Sequence, residues 1–375
     1  MHDRKRVLIL SASFGGGHRS AAEALRRYLD AHHRREVEVV VVDFFEEFAP
    51  SLNLLGKFAY TQSVQFFPEL YGTFFDLTNK MPTSPVVHEL AQVGYAKATS
   101  FIDAWRPQAV ISTYPIAGGV VSDLKASGHR HLVSATVVTD YGVHRTWLHP
   151  ATDVFFVASR EVGEDIASRG IPWERITVSG IPIHERFSEQ LDQAACRVEL
   201  GLDNRFTVML TSAAGTTGDL KDITKALVTS GIQVVAVTGT NKRLRRRLQP
   251  VQKKHPLAHV LGYVREMNRV MCASDVLVGK AGGLTVSESL AMGLPLIIFN
   301  PVPGQETYNV DFLVNYGAGL WARDEDDVIE KVRFLSTHPR RLSQMAENAD
   351  MLGKPAAARA VCERVLAAID EEPLG

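Results

Sequence analysis

Four stretches of the chain combine residue types that can do chemistry. An early apolar run leads into Ser13-Phe14-Gly15-Gly16-Gly17-His18-Arg19-Ser20. Its three glycines let backbone N–H groups crowd a ligand at a helix N-terminus, whose positive end favours an anionic or developing negative oxygen. The loop is not G-x-G-x-x-G and no P-loop lysine follows it, which weighs against dinucleotide binding and ATP hydrolysis. His18 stands where a general base or an electrostatic clamp works, or where a side chain merely caps the helix. Further on, Val138-Thr139-Asp140-Tyr141-Gly142-Val143-His144-Arg145-Thr146-Trp147 brings an acid and a histidine out of the end of a strand. Asp140 is the first candidate for a base that takes a proton from an attacking hydroxyl; the other reading is a carboxylate that caps the next turn. His144 and Trp147 are lesser candidates.

In the second half, Thr211-Ser212-Ala213-Ala214-Gly215-Thr216-Thr217-Gly218-Asp219 sets small residues and hydroxyls ahead of a helix. Ser212, Gly215 and Thr216 suit a diphosphate, although small-residue turns also serve ordinary connections. The fourth stretch is the most specific: Gly279-Lys280-Ala281-Gly282-Gly283-Leu284-Thr285-Val286-Ser287-Glu288, followed by Pro301-Val302-Pro303-Gly304-Gln305-Glu306-Thr307-Tyr308-Asn309. Gly282 and Gly283 open a helix N-terminus for phosphate, and Glu288 is placed to accept hydrogen bonds from two ribose hydroxyls. Gln305, Glu306 and Asn309 offer a polar set for sugar hydroxyls.

Such groups need strands to carry them, and short β-branched runs alternating with helical periodicity predict βαβ units around parallel sheets, an α/β fold. Strands are expected at 7–10, 37–42, 109–112, 135–138 and 154–157, then at 207–210, 233–237, 276–278 and 295–299, with shorter ones near Val260 and Leu320. Gly180-Ile-Pro-Ile-His-Glu-Arg-Phe interrupts the two series, so the expected domains are 1–185 and 186–355, with ligands at the carboxyl ends of the strands in the cleft between them. From Phe44 to Met81 aromatics crowd together. They form either a buried helix pair or a helical excursion into lipid headgroups.

Composition narrows the functions. A chain of 375 residues, 45% hydrophobic, is long enough for two cores. Its 41 Lys plus Arg nearly cancel 42 Asp plus Glu, which argues against nucleic acid. Cys196, Cys272 and Cys362 lack the spacing of a zinc site or disulfide framework, as expected for a reducing cytoplasm. The opening M-H-D-R-K-R-V-L-I-L-S has too few apolar residues in a row for a secretory signal, and no segment reaches the roughly 18 of a spanning helix. The basic run 242–247 is expected as a solvated helix face, with attraction to acidic lipid as the alternative. The acidic run 324–327 is expected as a helix N-terminal turn rather than a metal site.

Taken together, G-G-G-H-R, V-T-D-Y-x-x-H-x-x-W, G-K-A-G-G-L-T-V-S-E and P-V-P-G-Q-E-x-x-N resemble the monogalactosyldiacylglycerol synthases and processive diacylglycerol glucosyltransferases, relatives of the peptidoglycan lipid N-acetylglucosaminyltransferase. The resemblance covers nearly the whole chain. It implies the two-domain GT-B fold with a C-terminal helix, near 356–369, returning to the first domain. It also implies inverting transfer of glucose or galactose from a UDP-sugar to a membrane lipid acceptor, diacylglycerol, on the inner face of the cell membrane, without metal or other cofactor. By position, Gly282, Gly283, Thr285 and Glu288 would hold the phosphates and ribose, Gln305, Glu306 and Asn309 the hexose, and the main chain near Tyr263 and Val264 the uracil. Gly16, Gly17 and His18, with Asp140, would meet the acceptor. The phosphate turn S-A-A-G-T-T-G is less glycine-rich than the family pattern. Two rivals are a UDP-sugar 2-epimerase, which needs no lipid, and a non-catalytic nucleotide-sugar-binding regulatory protein.

Overall fold

The computed structural model describes residues 4–13, 16–50, 68–80, 85–129, 131–211 and 220–371. The chain divides into two compact units, Met1–Glu185 with Lys354–Gly375, and Arg186–Gly353.

The first unit is built on β1 (Lys5–Ser11), β2 (Val37–Asp43), β3 (Ala109–Ser112), β4 (Val133–Val137), β5 (Val154–Val157) and β6 (Ile176–Val178). All pair in parallel, in the order β2-β1-β3-β4-β5-β6. Side chains along a strand alternate between faces, so the apolar run of β1 feeds two cores. Val7 and Ile9 pack with the helix Gly16–His32 and the C-terminal helix Ala357–Glu371. Leu8 and Leu10 face the other layer, where Phe44, Phe45 and Phe48 meet the helices Pro85–Trp105 and Pro115–Ala126. Each such fully buried aliphatic side chain stabilises by roughly 1.5–3 kcal/mol. The C-terminal helix is fixed to the first helix by Tyr28 Oη, which donates to the Glu363 carboxylate at 2.7 Å, and to β1 by an ion pair of Lys5 with Asp370 at 2.6 Å.

The second unit repeats the plan with β7 (Thr207–Thr211), β8 (Gln233–Val237), β9 (Ala258–Leu261), β10 (Val276–Gly279), β11 (Leu296–Phe299) and β12 (Gly319–Ala322), again parallel, in the order β12-β11-β10-β7-β8-β9. Where β7 and β10 lie side by side, Gly279 is required. A Cβ there would sit 2.3 Å from Thr211 Oγ1.

The expected strands are present to within two residues at each end, and β6 is an addition. Its three residues lie at a sheet edge, where Val178 is 37% exposed, so the run is too short and too half-buried to stand out in sequence. Cys196, Cys272 and Cys362 are free thiols. Among the described residues no helix is long and apolar enough to cross a membrane.

Candidate functional site

In each sheet the chain leaves the first strand in one direction and returns on its other side. The loops flanking that switch point are where α/β sheets bind ligands. In the first unit these loops follow β1 and β3. Ser13, just past β1, donates to the Asp43 carboxylate, whose other oxygen caps the helix Phe44–Phe48 by accepting from the Phe45 and Glu46 N–H groups at 3.1 Å. Gly16 is exposed, and among the described residues a Cβ there would meet nothing within 4 Å beyond its chain neighbours and its own helix; Gly17, part-buried, follows it.

His18 bridges the switch point. Its Nδ1 lies 2.8 Å from the Thr113 carbonyl, directly after β3, and 2.9 Å from Thr139 Oγ1, beyond β4. Thr113 in turn donates its hydroxyl to the His18 carbonyl at 3.1 Å. A carbonyl only accepts, so Nδ1 carries the proton and Nε2 the lone pair. Among the described residues Nε2 has no hydrogen-bond partner. Tyr114 meets the ring edge-on at 5.0 Å and Trp147 stands at 6.0 Å. Burial pushes the His18 pKa down to about 4, against the smaller opposing effect of the Thr113 carbonyl. The residue keeps some accessible surface, and the imidazole is neutral at pH 7. Asp140 is part-buried and next in sequence to Thr139, the residue whose hydroxyl meets His18.

His144 has a different task. The Thr146 N–H donates to its Nδ1 at 3.2 Å, which leaves Nε2 to donate to the Phe75 carbonyl at 3.1 Å. Both ring nitrogens are therefore engaged in mooring the helix Pro68–Lys80 to the turn Arg145–Trp147. Asn79 reinforces the mooring by accepting from the Arg145 N–H at 2.8 Å. Within the aromatic stretch, Phe44, Phe45 and Phe48 are core, as the buried-helix reading expects, whereas Leu77 is 53% exposed. The residues 51–67 lie outside the described ones.

In the second unit Gly282 precedes the helix Gly283–Ala291 with no side-chain cap, so among the described residues the first N–H groups of that helix have no capping side chain. Ser212, Gly215 and Thr216, past the neighbouring β7, lie outside the described residues. Asn300, just past β11, is left-handed at φ 51°, a conformation asparagine tolerates, and it starts the turn that leads to Gln305 and Glu306. Glu306 accepts from the Val302 N–H at 2.7 Å, while its other oxygen would lie 3.6 Å from a Cβ on Gly282. Asn309 is fully enclosed and donates to the Ala281 carbonyl at 2.7 Å, so it shapes the loop before the helix. Thr285 is part-buried in the first turn.

Charges gather here under poor solvation. Burial pushes the Glu288 pKa up to about 7, opposed by the charge of Arg186. Burial also raises the Glu306 carboxyl, against the Val302 N–H and Lys280, and lowers Lys280, against Glu306. Tyr263 follows β9 and is 72% exposed, with Val264 part-buried beside it. Among the described residues no three His, Cys, Asp or Glu side chains come together to hold a metal ion.

Thr113 and Thr139 were not legible as site residues. Thr113 and His18 are 95 positions apart, and only the pairing of β1 with β3 joins them. The charged runs match their plainer readings. Lys242, Arg243, Arg245, Arg246 and Arg247 are exposed on a helix that buries Leu244, Leu248 and Val251. Asp324 caps the helix Glu325–Thr337 by accepting from the Asp327 N–H at 2.8 Å.

Residues 18–183 match the family model for monogalactosyldiacylglycerol (MGDG) synthase, and residues 217–361 that for the glycosyltransferase family 28 C-terminal domain. The processive diacylglycerol beta-glucosyltransferase of Bacillus cereus (strain AH187) is 30% identical over 372 residues, which span 98% of this chain and 95% of that one. Among solved structures, Acinetobacter baumannii MurG aligns over 97% of this chain and 99% of its own with a TM-score of 0.65 at 15% identity. The S. aureus MnaA–UDP co-structure aligns over 98% and 97%, with a TM-score of 0.65 at 13% identity. The two doubly wound parallel sheets are thus those of the GT-B fold.

Proposed function

The chain belongs to the glycosyltransferase family of the processive diacylglycerol beta-glucosyltransferases, and from that premise we propose that it moves glucose from UDP-glucose to the hydroxyl of diacylglycerol with inversion. It is a glycosyltransferase. The observation that carries the reading is the match to a relative of that name along almost the entire chain. The sugar follows the relative's name, and a beta product from an alpha-linked donor requires inversion. UDP is the nucleotide held in the co-structure of the similarly folded MnaA.

The second unit takes the donor. N–H groups after Gly282 and Gly283 meet the diphosphate, with the hydroxyl of Thr285 beside them and, past β7, Ser212, Gly215 and Thr216. Glu288 accepts from the ribose hydroxyls, the main chain at Tyr263 and Val264 meets the uracil, and Gln305 and Glu306 meet the hexose. Asn309 acts at one remove, through the Ala281 carbonyl. The first unit takes the acceptor near Gly16 and Gly17. The Nδ1–H of His18 is committed to Thr113, so Nε2 is the ring nitrogen that receives a proton, and Asp140 either stabilises the resulting imidazolium or takes the proton itself. As the acceptor O–H loses its proton, the oxygen bonds to the anomeric carbon and the bond to UDP breaks, its electron pair leaving on the diphosphate. The helix N-terminus and Lys280 offset that charge.

A lipid acceptor places the enzyme on the cytoplasmic face of the membrane as a peripheral protein, with the region around the exposed Leu77 as its contact. UDP release from UDP-glucose and UDP-galactose, with and without diacylglycerol vesicles, tests the proposal. Glucosyl diacylglycerol formed only when both substrates are present is the expected result. Donor isomerised without lipid would overturn it in favour of an epimerase, and donor bound but never turned over in favour of a regulatory protein.

A further inference from the structure

His149 lies two residues past Trp147, and nothing above gives it a part in the reaction. Its Nε2 sits 2.8 Å from the Pro115 carbonyl, in the first turn of the helix Pro115–Ala126. A carbonyl only accepts, so this Nε2 carries the proton, the opposite tautomer to His18. Two glycines of the helix make room for the ring. A Cβ on Gly118 would stand 3.2 Å from His149 Cδ2, and one on Gly119 would stand 3.0 Å from its Cε1, closer than carbon atoms ordinarily pack. Adjacent glycines weaken a helix, so their use here follows from the imidazole they admit. Ser122, one turn on, adds a second joint by accepting from the Ala151 N–H at 3.1 Å.

The parts so joined are two walls around His18. One wall is the turn between β3 and the helix, where the Thr113 carbonyl takes the Nδ1–H of His18 at 2.8 Å and the Tyr114 ring meets the imidazole edge-on at 5.0 Å. The other is the segment of Trp147, whose ring stands 6.0 Å from that of His18. We infer that His149 is a positioning residue for the transfer, the latch that joins these walls and so holds His18 in its Nδ1–H form, with Nε2 left for the acceptor proton. The inference rests on the reading of His18 as the base. Its physical reason is the shortness of the link. Pro115 is two residues from the carbonyl that sets the His18 tautomer, and His149 is two residues from Trp147, so one hydrogen bond ties both walls. A base works only when held in place, and misplacement by about 1 Å costs on the order of 10²-fold in rate.

The test compares the wild type with His149→Phe, His149→Gln and Gly119→Ala, each also in the His18→Ala background, with circular dichroism confirming the fold. Phenylalanine keeps a ring and removes the donor, whereas glutamine brings an amide N–H close to where Nε2–H stood. With UDP-glucose and diacylglycerol vesicles, His149→Phe should lower kcat by about 10- to 100-fold and leave UDP affinity within about twofold. In 15N-histidine-labelled protein it should also shift the His18 ring signals, assigned by their loss in His18→Ala, away from the Nδ1–H pattern of the wild type. His149→Gln should regain most of the lost kcat. Gly119→Ala crowds the slot while favouring the helix; it should follow His149→Phe, and it stands in for that variant if the latter does not fold. With His18 already alanine, none of the three should lower the residual rate further, because residues that act as one unit are not additive. A folded His149→Phe with the wild-type kcat, equal losses in His149→Phe and His149→Gln, or an undiminished loss in the His18→Ala background would overturn the inference and leave the base reading standing. A His18→Ala protein with the wild-type rate overturns both.

Discussion

The two units carry the same sheet plan, yet they hold their polar groups in opposite ways. In the first, His18 is neutral, its Nδ1–H is satisfied by Thr113, and His144 has both nitrogens engaged. In the second, burial raises Glu288 and Glu306 and lowers Lys280, and outweighs the opposing charges and the Val302 N–H. On the proposed reading the acceptor side is organised in advance, whereas the donor side is completed by its ligand, whose diphosphate would complement Lys280 and whose ribose hydroxyls would complement Glu288.

That contrast is broken most directly at His18. His18→Ala should lower kcat by about 10²- to 10⁴-fold while UDP affinity stays within a factor of about two, because a base acts on the proton and not on the donor. Asp140→Asn should follow in the same direction, and steady-state kinetics with diacylglycerol vesicles check both. Glu288→Ala should do the reverse, weakening UDP by roughly 10- to 100-fold in calorimetry, the scale of hydrogen bonds to a charged group.

pH sharpens the same distinction. With its pKa pushed down to about 4, His18 stays neutral from pH 5.5 upward, so the acid limb of UDP binding near 7 belongs to Glu288. The limb should survive in His18→Ala and vanish in Glu288→Gln. A raised carboxyl pKa also works against folding. The folded protein binds that proton more tightly than the unfolded chain, so stability falls as pH rises from the unfolded value through about 7. Glu288→Gln should therefore stabilise the protein at pH 8, by on the order of 1 kcal/mol given the accessible surface the residue keeps, and by little at pH 4.5. Thermal melts at the two pH values check the sign. The smallest effect is expected at Thr139→Val, a few-fold loss in kcat, since the Thr113 carbonyl still holds Nδ1.

What could be read from sequence follows the same division. Runs such as Val7–Leu10 announce buried parallel strands because both faces are apolar, and the Gly282-Gly283 pair announces a helix start without a side-chain cap. The strand β6 was missed because three residues at a sheet edge carry no period. His18 was visible as a candidate, but its tautomer was not, since the carbonyl that sets it belongs to the strand pair β1–β3 rather than to any local pattern. His144 was read for chemistry, and the backbone N–H of Thr146 shows it to be a mooring.

The central claim, that base and donor pocket are separate devices on separate units, is tested most directly by measuring UDP affinity and glucosyl diacylglycerol formation side by side in His18→Ala and Glu288→Ala. The account predicts that the first binds UDP as the wild type does and forms glycolipid about 10²- to 10⁴-fold more slowly, while the second loses UDP affinity. A His18→Ala protein that turns over normally, or a Glu288→Ala protein that binds UDP as tightly as the wild type, would contradict it.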